Sequence, residues 1–177
     1  MSELNRTQAE TVGRADLGGK YLTFALGNEG YGLEILKVRE IIGYMDITAV
    51  PRTPGYVKGV INLRGQVISV VDLRAKFAMP EAERTDETCI IVVEIGHQGR
   101  KLNTGIIVDR VSEVLTIAGE NIENPPSMGA AVDNSFILGM GKIANSVKIL
   151  LDIDRVLGGD EIAELARTTA TAEAVAA

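Results

Sequence analysis

Shifted by 80 residues, the sequence lies over itself: Gly59-Val-Ile-Asn-Leu-Arg-Gly-Gln-Val-Ile-Ser-Val-Val-Asp-Leu matches Gly139-Met-Gly-Lys-Ile-Ala-Asn-Ser-Val-Lys-Ile-Leu-Leu-Asp-Ile. Gly59/Gly139, Val67/Val147 and Asp72/Asp152 are identical, and Val70/Leu150, Val71/Leu151 and Leu73/Ile153 agree in kind. A second block repeats at a shift of 73, where Gly32 to Ile42 lies over Gly105 to Leu115 with Gly32/Gly105, Val38/Val111 and Glu40/Glu113 identical. The difference between the shifts falls around Pro125-Pro126. Two blocks repeated in the same order mean one supersecondary unit used twice. Each copy reads as strand, tight turn, strand and a short helical turn capped by Asp72 or Asp152.

The rest of the body is β in pattern. Short runs rich in Val, Ile, Leu and Tyr, bounded by turn residues, predict strands at Tyr21 to Leu26, Tyr31 to Ile35, Val57 to Leu63, Gln66 to Val71, Cys89 to Ile95, Leu102 to Val108 and Val147 to Leu151. Gly27-Asn28-Glu29-Gly30 and His97-Gln98-Gly99 read as hairpin connections. Each half then holds roughly five short strands, too few for a large core of its own. That suits a small closed barrel packed against its sister, with a cleft between them as the natural place for a partner. Residues 1–18 are polar and read as a flexible tail, and 160–177 as a C-terminal helix with a frayed end, its inner face Ile162, Leu165, Ala166 and Thr169.

Composition removes several functions. The net charge of −6 sits mostly at the ends: Asp160, Glu161, Glu164 and Glu173 face only Arg167 in the last segment. No basic face with stacking aromatics marks a nucleic-acid binder. The one cysteine, Cys89, has no internal disulfide partner and points to a reducing compartment, and no stretch is apolar enough to insert in a membrane. The one histidine, His97, falls in a hairpin, so no metal cluster is expected. No nucleophile lies beside a base, and Asp46 and Asp109 show no partner carboxylate and read as solvated. A hydrolase would need an unrecognised carboxylate pair. The expectation is a protein without catalytic residues, metal or cofactor.

Binding is then the open question. Arg64 lies in the turn Asn62-Leu63-Arg64-Gly65 between two apolar strands, either as a solvated turn residue or held by a carboxylate such as Glu40 in a planar contact. Val38 and Val114 belong to the repeated Lys/Arg-Val-x-Glu block and are either core residues or part of an apolar rim.

Three runs carry a resemblance: Tyr-Gly-Leu-Glu-Ile-Leu-Lys-Val-Arg-Glu-Ile-Ile at 31–42, Val-Pro-Arg-Thr-Pro-Gly-Tyr-Val-Lys-Gly-Val-Ile-Asn-Leu-Arg-Gly at 50–65, and Val-Asp-Leu-Arg-Ala-Lys-Phe at 71–77. With Gly105-Ile-Ile-Val-Asp-Arg-Val-Ser-Glu-Val-Leu, this sequence resembles the CheW-like domain family over about residues 20–158. The domain occurs in chemotaxis coupling proteins, in the regulatory domain of the histidine kinase CheA and in CheV. A chain with one such domain and no kinase, dimerisation or receiver segment is similar to the free-standing coupling proteins.

The resemblance implies a mainly β fold of two intertwined SH3-like five-stranded β-barrels with short helices and a C-terminal helix. It places the CheW-like domain at 19–159, with subdomains near 19–84 and 85–159. It also implies a cytoplasmic, non-catalytic adaptor, recruited to membrane-associated receptor arrays, that joins chemoreceptor cytoplasmic tips to the regulatory domain of CheA. The alternative is a coupling protein of a non-flagellar chemosensory pathway. Receptor binding is implied for Val38, Glu40, Arg64 and Val114, and for Cys89, which stands where the family usually has an aliphatic residue. Lys58 and Gly59 fall near the surface used toward the kinase.

Overall fold

A computed structural model describes residues 16–97, 99–125, 135–157, 164–170 and 172. Among them are eleven strands: β1 (Gly19–Leu26), β2 (Glu29–Glu34), β3 (Val38–Gly43), β4 (Val57–Leu63), β5 (Gln66–Asp72), β6 (Cys89–His97), β7 (Arg100–Val108), β8 (Arg110–Ile117), β9 (Ile122–Glu123), β10 (Ile137–Ile143) and β11 (Ser146–Leu151). Helix α1 (Leu73–Lys76) follows β5, α2 (Ile153–Val156) follows β11, and residues 164–170 form a further helix, α3. The strands make two SH3-like sheets, ordered β8-β1-β2-β11-β10-β9 and β3-β6-β7-β5-β4. Each sheet therefore takes its leading hairpin from the other copy of the repeat: β1-β2 joins β8 to β11, and β6-β7 joins β3 to β5. The two units are intertwined.

The repeat is structural as well as sequential. Arg64 and Ala144 open equivalent turns at the same positive φ of 51°, and Gly65 continues the first at 86°. Such turns match the twist of the strands they join. Both copies carry a bulge in the strand before the turn: Val57 and Gly59 pair with Val71 and Val70, leaving Lys58 unpaired, while Ile137 and Gly139 pair with Leu151 and Leu150, leaving Leu138. Asp72 accepts from Arg74 N at 3.0 Å and Asp152 from Asp154 N at 3.2 Å, so both short helices are capped as expected.

Strands β3, β8 and β9 were not among the strands predicted above, and β10 was implied only by the repeat, as the first strand of its second copy. β3 and β8 are edge strands with charged residues interspersed, and two glycines interrupt β10, so none shows an unbroken apolar run. In the Gly27 hairpin the turn is shorter than expected, because Glu29 already pairs with Leu26. His97 ends β6, and Gln98 lies outside the described residues. Residues 158–163, including Ile162 of the expected helix face, also lie outside them. In α3 the buried face is Leu165 and Thr168, whereas Ala166 is exposed.

Successive residues on a strand point to opposite faces, and here both faces are buried. Val70 packs in the five-stranded unit with Ile61, Ile68 and Val92, while its neighbour Val71 joins the central core. Leu150 likewise packs in the other unit with Tyr21, Ile117 and Ile122, and Leu151 turns into the central core. That core holds Leu22, Phe24, Leu33, Ile91, Val93 and Ile106, drawn from both sheets. Double-sided burial explains the continuous apolar runs such as Cys-Ile-Ile-Val-Val. The three phenylalanines of the sequence stack there with Tyr31 in the row Phe24-Tyr31-Phe77-Phe136, at centroid spacings of 5.7, 6.0 and 5.3 Å.

The chain crosses between sheets at two points, and each crossing carries an ion pair. Between β7 and β8, Asp109 receives a fork from Arg74, with Nε–Oδ1 at 2.8 Å and Nη2–Oδ2 at 2.5 Å, and its Oδ2 also accepts from Gly27 N at 2.7 Å. The expectation that Asp109 is solvated is thus corrected: it is paired with a cation from the other half of the sequence, 35 residues away. The Arg74 guanidinium holds the Asp109 carboxyl below the usual carboxylate range, against the opposing effect of burial. Between β2 and β3, Lys37 Nζ lies 2.7 Å from Asp154, whose Oδ1 accepts from Gly96 N at 3.0 Å. Arg74 and Asp154 occupy equivalent helix positions, so the acid and the base have exchanged sides between the two crossings.

Two predictions follow from these contacts. Thr104 Oγ1 is buried and has no hydrogen-bond partner among the described residues, so Thr104→Val should raise stability by about 1 kcal/mol in urea unfolding, since an unmade hydrogen bond is itself a cost. Because the folded Asp109 pKa is depressed, its contribution is present above the ordinary carboxylate range and is lost as pH falls through the folded value. Asp109→Asn should lower stability at pH 7 by roughly 2 kcal/mol, the scale of a charge-assisted hydrogen bond. It should also flatten the acid limb of a stability-versus-pH series.

Candidate functional site

Glu40 lies on β3, one edge of the five-stranded sheet, and Arg64 on the turn joining β5 to β4, the opposite edge. The positive φ at Arg64 and the Asn62 Oδ1 bond to Gly65 N, at 2.8 Å, hold the turn in place. The guanidinium meets the carboxylate as a two-toothed fork, Nη1–Oε1 at 3.1 Å and Nη2–Oε2 at 2.5 Å. Of the two readings of Arg64, the carboxylate-held one is what the structure contains. The hydrogen bond from Arg64 is the main cause that lowers the Glu40 pKa, and Glu40 in turn raises that of Arg64. The fork spans the sheet edges while leaving the Arg64 side chain 72% exposed. Ala144 cannot make the equivalent contact, so one copy alone has this feature.

Apolar side chains lie on the same strand as Glu40 and on an edge of the other sheet. Val38, half-buried at the start of β3, packs against the central core. Ile41 on the same strand is 45% exposed, and Val114, its equivalent in the repeat, is 48% exposed on β8, an edge of the other sheet. Ile41 was not singled out from sequence, although its match to Val114 in the repeated block carried that information. Cys89 pairs with Gly43 at the far end of β3 and accepts a hydrogen bond from the backbone of Val111 on β8. Its half-buried thiol packs against the central core, and burial pushes its pKa up, which opposes thiolate chemistry. Val38, Glu40 and Arg64 are thus gathered at one end of β3. Cys89 stands at its other end and Val114 on the second sheet.

Lys58 is the extra residue of the β4 bulge, with Nζ 3.9 Å from Glu81. It borders a cavity of about 280 Å³ with Tyr44, Asp72, Arg74, Arg84 and Asp109, in which the Arg84 guanidinium lies 4.2 Å from the Tyr44 ring centroid. Gly59 is buried, and a Cβ there would lie 2.0 Å from Thr48 O. Its glycine is required by that close backbone approach, and it offers no side chain to a partner. Gly139 is equally hemmed, with Ile122 Cγ2 at 2.6 Å from the position of a Cβ.

Among the described residues no three His, Cys, Asp or Glu side chains are grouped so as to hold a metal ion, and no helix is long and apolar enough to cross a membrane. The arrangement offers charged and apolar edges for contact.

The CheW-like domain matches residues 20–161. The chain is 37% identical over 163 residues to a chemotaxis protein CheW of Klebsiella aerogenes, covering 92% of this chain and 93% of that one. It is 34% identical over 147 residues to a chemotaxis protein CheW of Treponema pallidum, covering 82% of this chain and 85% of that one. Among solved structures, the scaffolding protein TtCheW of Thermoanaerobacter tengcongensis superposes with a TM-score of 0.71 at 35% identity, covering 81% of this chain and 95% of that one. The chain belongs to the CheW-like domain family, and the relatives above are named as chemotaxis and scaffolding proteins.

Proposed function

We propose that this chain is a cytoplasmic chemotaxis adaptor that couples the cytoplasmic tips of chemoreceptors to the regulatory domain of the histidine kinase CheA and is recruited with them into arrays. The observation that carries the reading is the exposed Glu40–Arg64 fork, with half-exposed Ile41 on the same strand and Val114 on an edge of the other sheet. Its adaptor unit spans residues 19–159, with halves near 19–84 and 85–159.

In this reading a receptor helix lies along the junction of the two units in the helix-in-groove mode. Val38, Cys89 and Val114 supply apolar contact, and the Glu40–Arg64 pair fixes orientation. A barrel end bearing Lys58, with Gly59 shaping the strand beneath it, docks the kinase. Two faces on one rigid body couple partners without chemistry.

Reconstitution with a receptor cytoplasmic fragment and CheA tests this directly. Ternary assembly and kinase autophosphorylation should both depend on the chain, and independence from it would refute the coupling role. Val38→Glu should weaken receptor-fragment binding by about tenfold or more, equivalent to about 1.4 kcal/mol. Arg64→Ala should weaken receptor binding several-fold while leaving the thermal midpoint nearly unchanged, because exposed ion pairs add little stability. A double-mutant cycle with Glu40→Ala, followed in both binding and unfolding, separates recognition from bracing.

A further inference from the structure

The two copies of the repeat present equivalent faces beside their parallel strand pairs, and only one is covered by a described helix. In the five-stranded unit β5 runs parallel to β7 with Ser69 beside Thr104. Helix α3 lies on this pair: Ser69 Oγ donates to Leu165 O at 3.1 Å and lies 2.7 Å from Thr169 Oγ1, and Leu165 is fully buried. In the other unit β11 runs parallel to β2 with Ile149 beside Tyr31, the same two positions by the shifts of 80 and 73. No described helix lies on them as α3 lies on the first pair, although the Phe77 ring stacks on Tyr31.

The chemistry has changed along with the cover. Where the covered face has Ser69, whose hydroxyl meets both a helix carbonyl and a threonine, the open one has Ile149, with Tyr31 in place of Thr104. Phe77 stands where the covered side has Leu157, and Phe136 where it has Tyr56. With Met79 these side chains line an open cavity of about 450 Å³, and Lys76 is the one charged residue among its described lining. Lys76 Nζ lies 4.7 Å from the Tyr56 ring centroid, and burial lowers its pKa, so a carboxylate brought near it would be favoured.

We propose that this second face is a docking groove for an amphipathic helix of a partner protein, seated as α3 is seated on the equivalent face, with an aliphatic anchor against Tyr31 and Ile149 and a carboxylate directed to Lys76. The helix is argued from the equivalent face, which already holds one through Leu165. The aliphatic anchor follows from the replacement of the Ser69 hydroxyl by the Ile149 side chain, and the carboxylate from the single charge in the lining. This groove is separate from the Val38, Glu40 and Arg64 surface and does not depend on the partners proposed for it.

The probe is a fluorescein-labelled, acetylated peptide with the sequence of residues 160–173, an acidic segment built around the leucine of α3, titrated into the full chain by anisotropy and by amide shift mapping. Saturable binding should perturb Tyr31, Phe136 and Ile149. Ile149→Ser, which copies the residue at 69, and Ile149→Lys should each weaken it by about tenfold or more. Asp in place of the peptide's leucine should abolish it, and Lys76→Gln should weaken it several-fold. Absence of saturable binding, perturbation confined to Ser69 and Thr104, or binding unaffected by both Ile149 variants would overturn the proposal. So would sedimentation showing that a second copy of the chain fills the groove.

Discussion

Neither sheet of this protein contains the strands of one sequence half alone. The hairpin β1-β2 is hydrogen-bonded between β8 and β11, and β6-β7 between β3 and β5, so the leading hairpin of each copy completes the sheet of the other. The central core between the units is lined by strands whose opposite faces are buried within a unit, which makes the interface part of the same packing problem as the unit interiors. Removing one half would expose both faces of the strands it had completed. Small units of this size gain from such sharing because each alone buries too little surface. The crossings are where the chain is committed to this exchange, and both are tied by a carboxylate that binds a cation and a backbone N–H together.

This constraint separates what the two copies must share from what they may vary. They share the backbone devices: the positive φ at Arg64 and Ala144, the bulges at Lys58 and Leu138, the capping aspartates, and the glycines 59 and 139 against which another segment packs. They differ where side chains reach the surface. Arg64 forks to Glu40 while Ala144 cannot, and the Ser69-Thr104 face lies under α3 while its Ile149-Tyr31 counterpart does not. Gene duplication without divergence would give two like surfaces. The fold instead preserves its internal geometry and presents unlike ones.

The duplication, both capped helical turns and seven of the strands were legible in the sequence because apolar runs, turn residues and Asp caps are local signals. Strands β3 and β8 were harder to see, since an edge strand with one wet face has charges interspersed with its apolar residues. Asp109 was misread because its partner Arg74 is 35 residues away, and nothing in either segment indicates that a crossing brings them together. The Glu40–Arg64 contact could be named as an option from the chemistry of a turn arginine. Its geometry depends on the two edges of one sheet approaching, which is a tertiary fact. Ile41 illustrates a different loss: its equivalence to Val114 was in the repeat, but exposure at an edge can be read only from the fold.

An adaptor needs no reactive group, but it does need surfaces that keep a fixed relation to one another. Here the fork at Glu40 and Arg64 belongs to the five-stranded sheet and Val114 to the other, yet Cys89, which pairs with Gly43 at the end of β3, also bonds to the backbone of Val111 on β8. The shared core and the two tied crossings oppose relative movement of the sheets. Contacts made on separate edges can then act as parts of one surface, and a load at one face is carried to the next by packing that has little room to yield. In such a body the inequality of the copies is what distinguishes its ends, and the distinction is held by the same interlocked strands that make the fold stable.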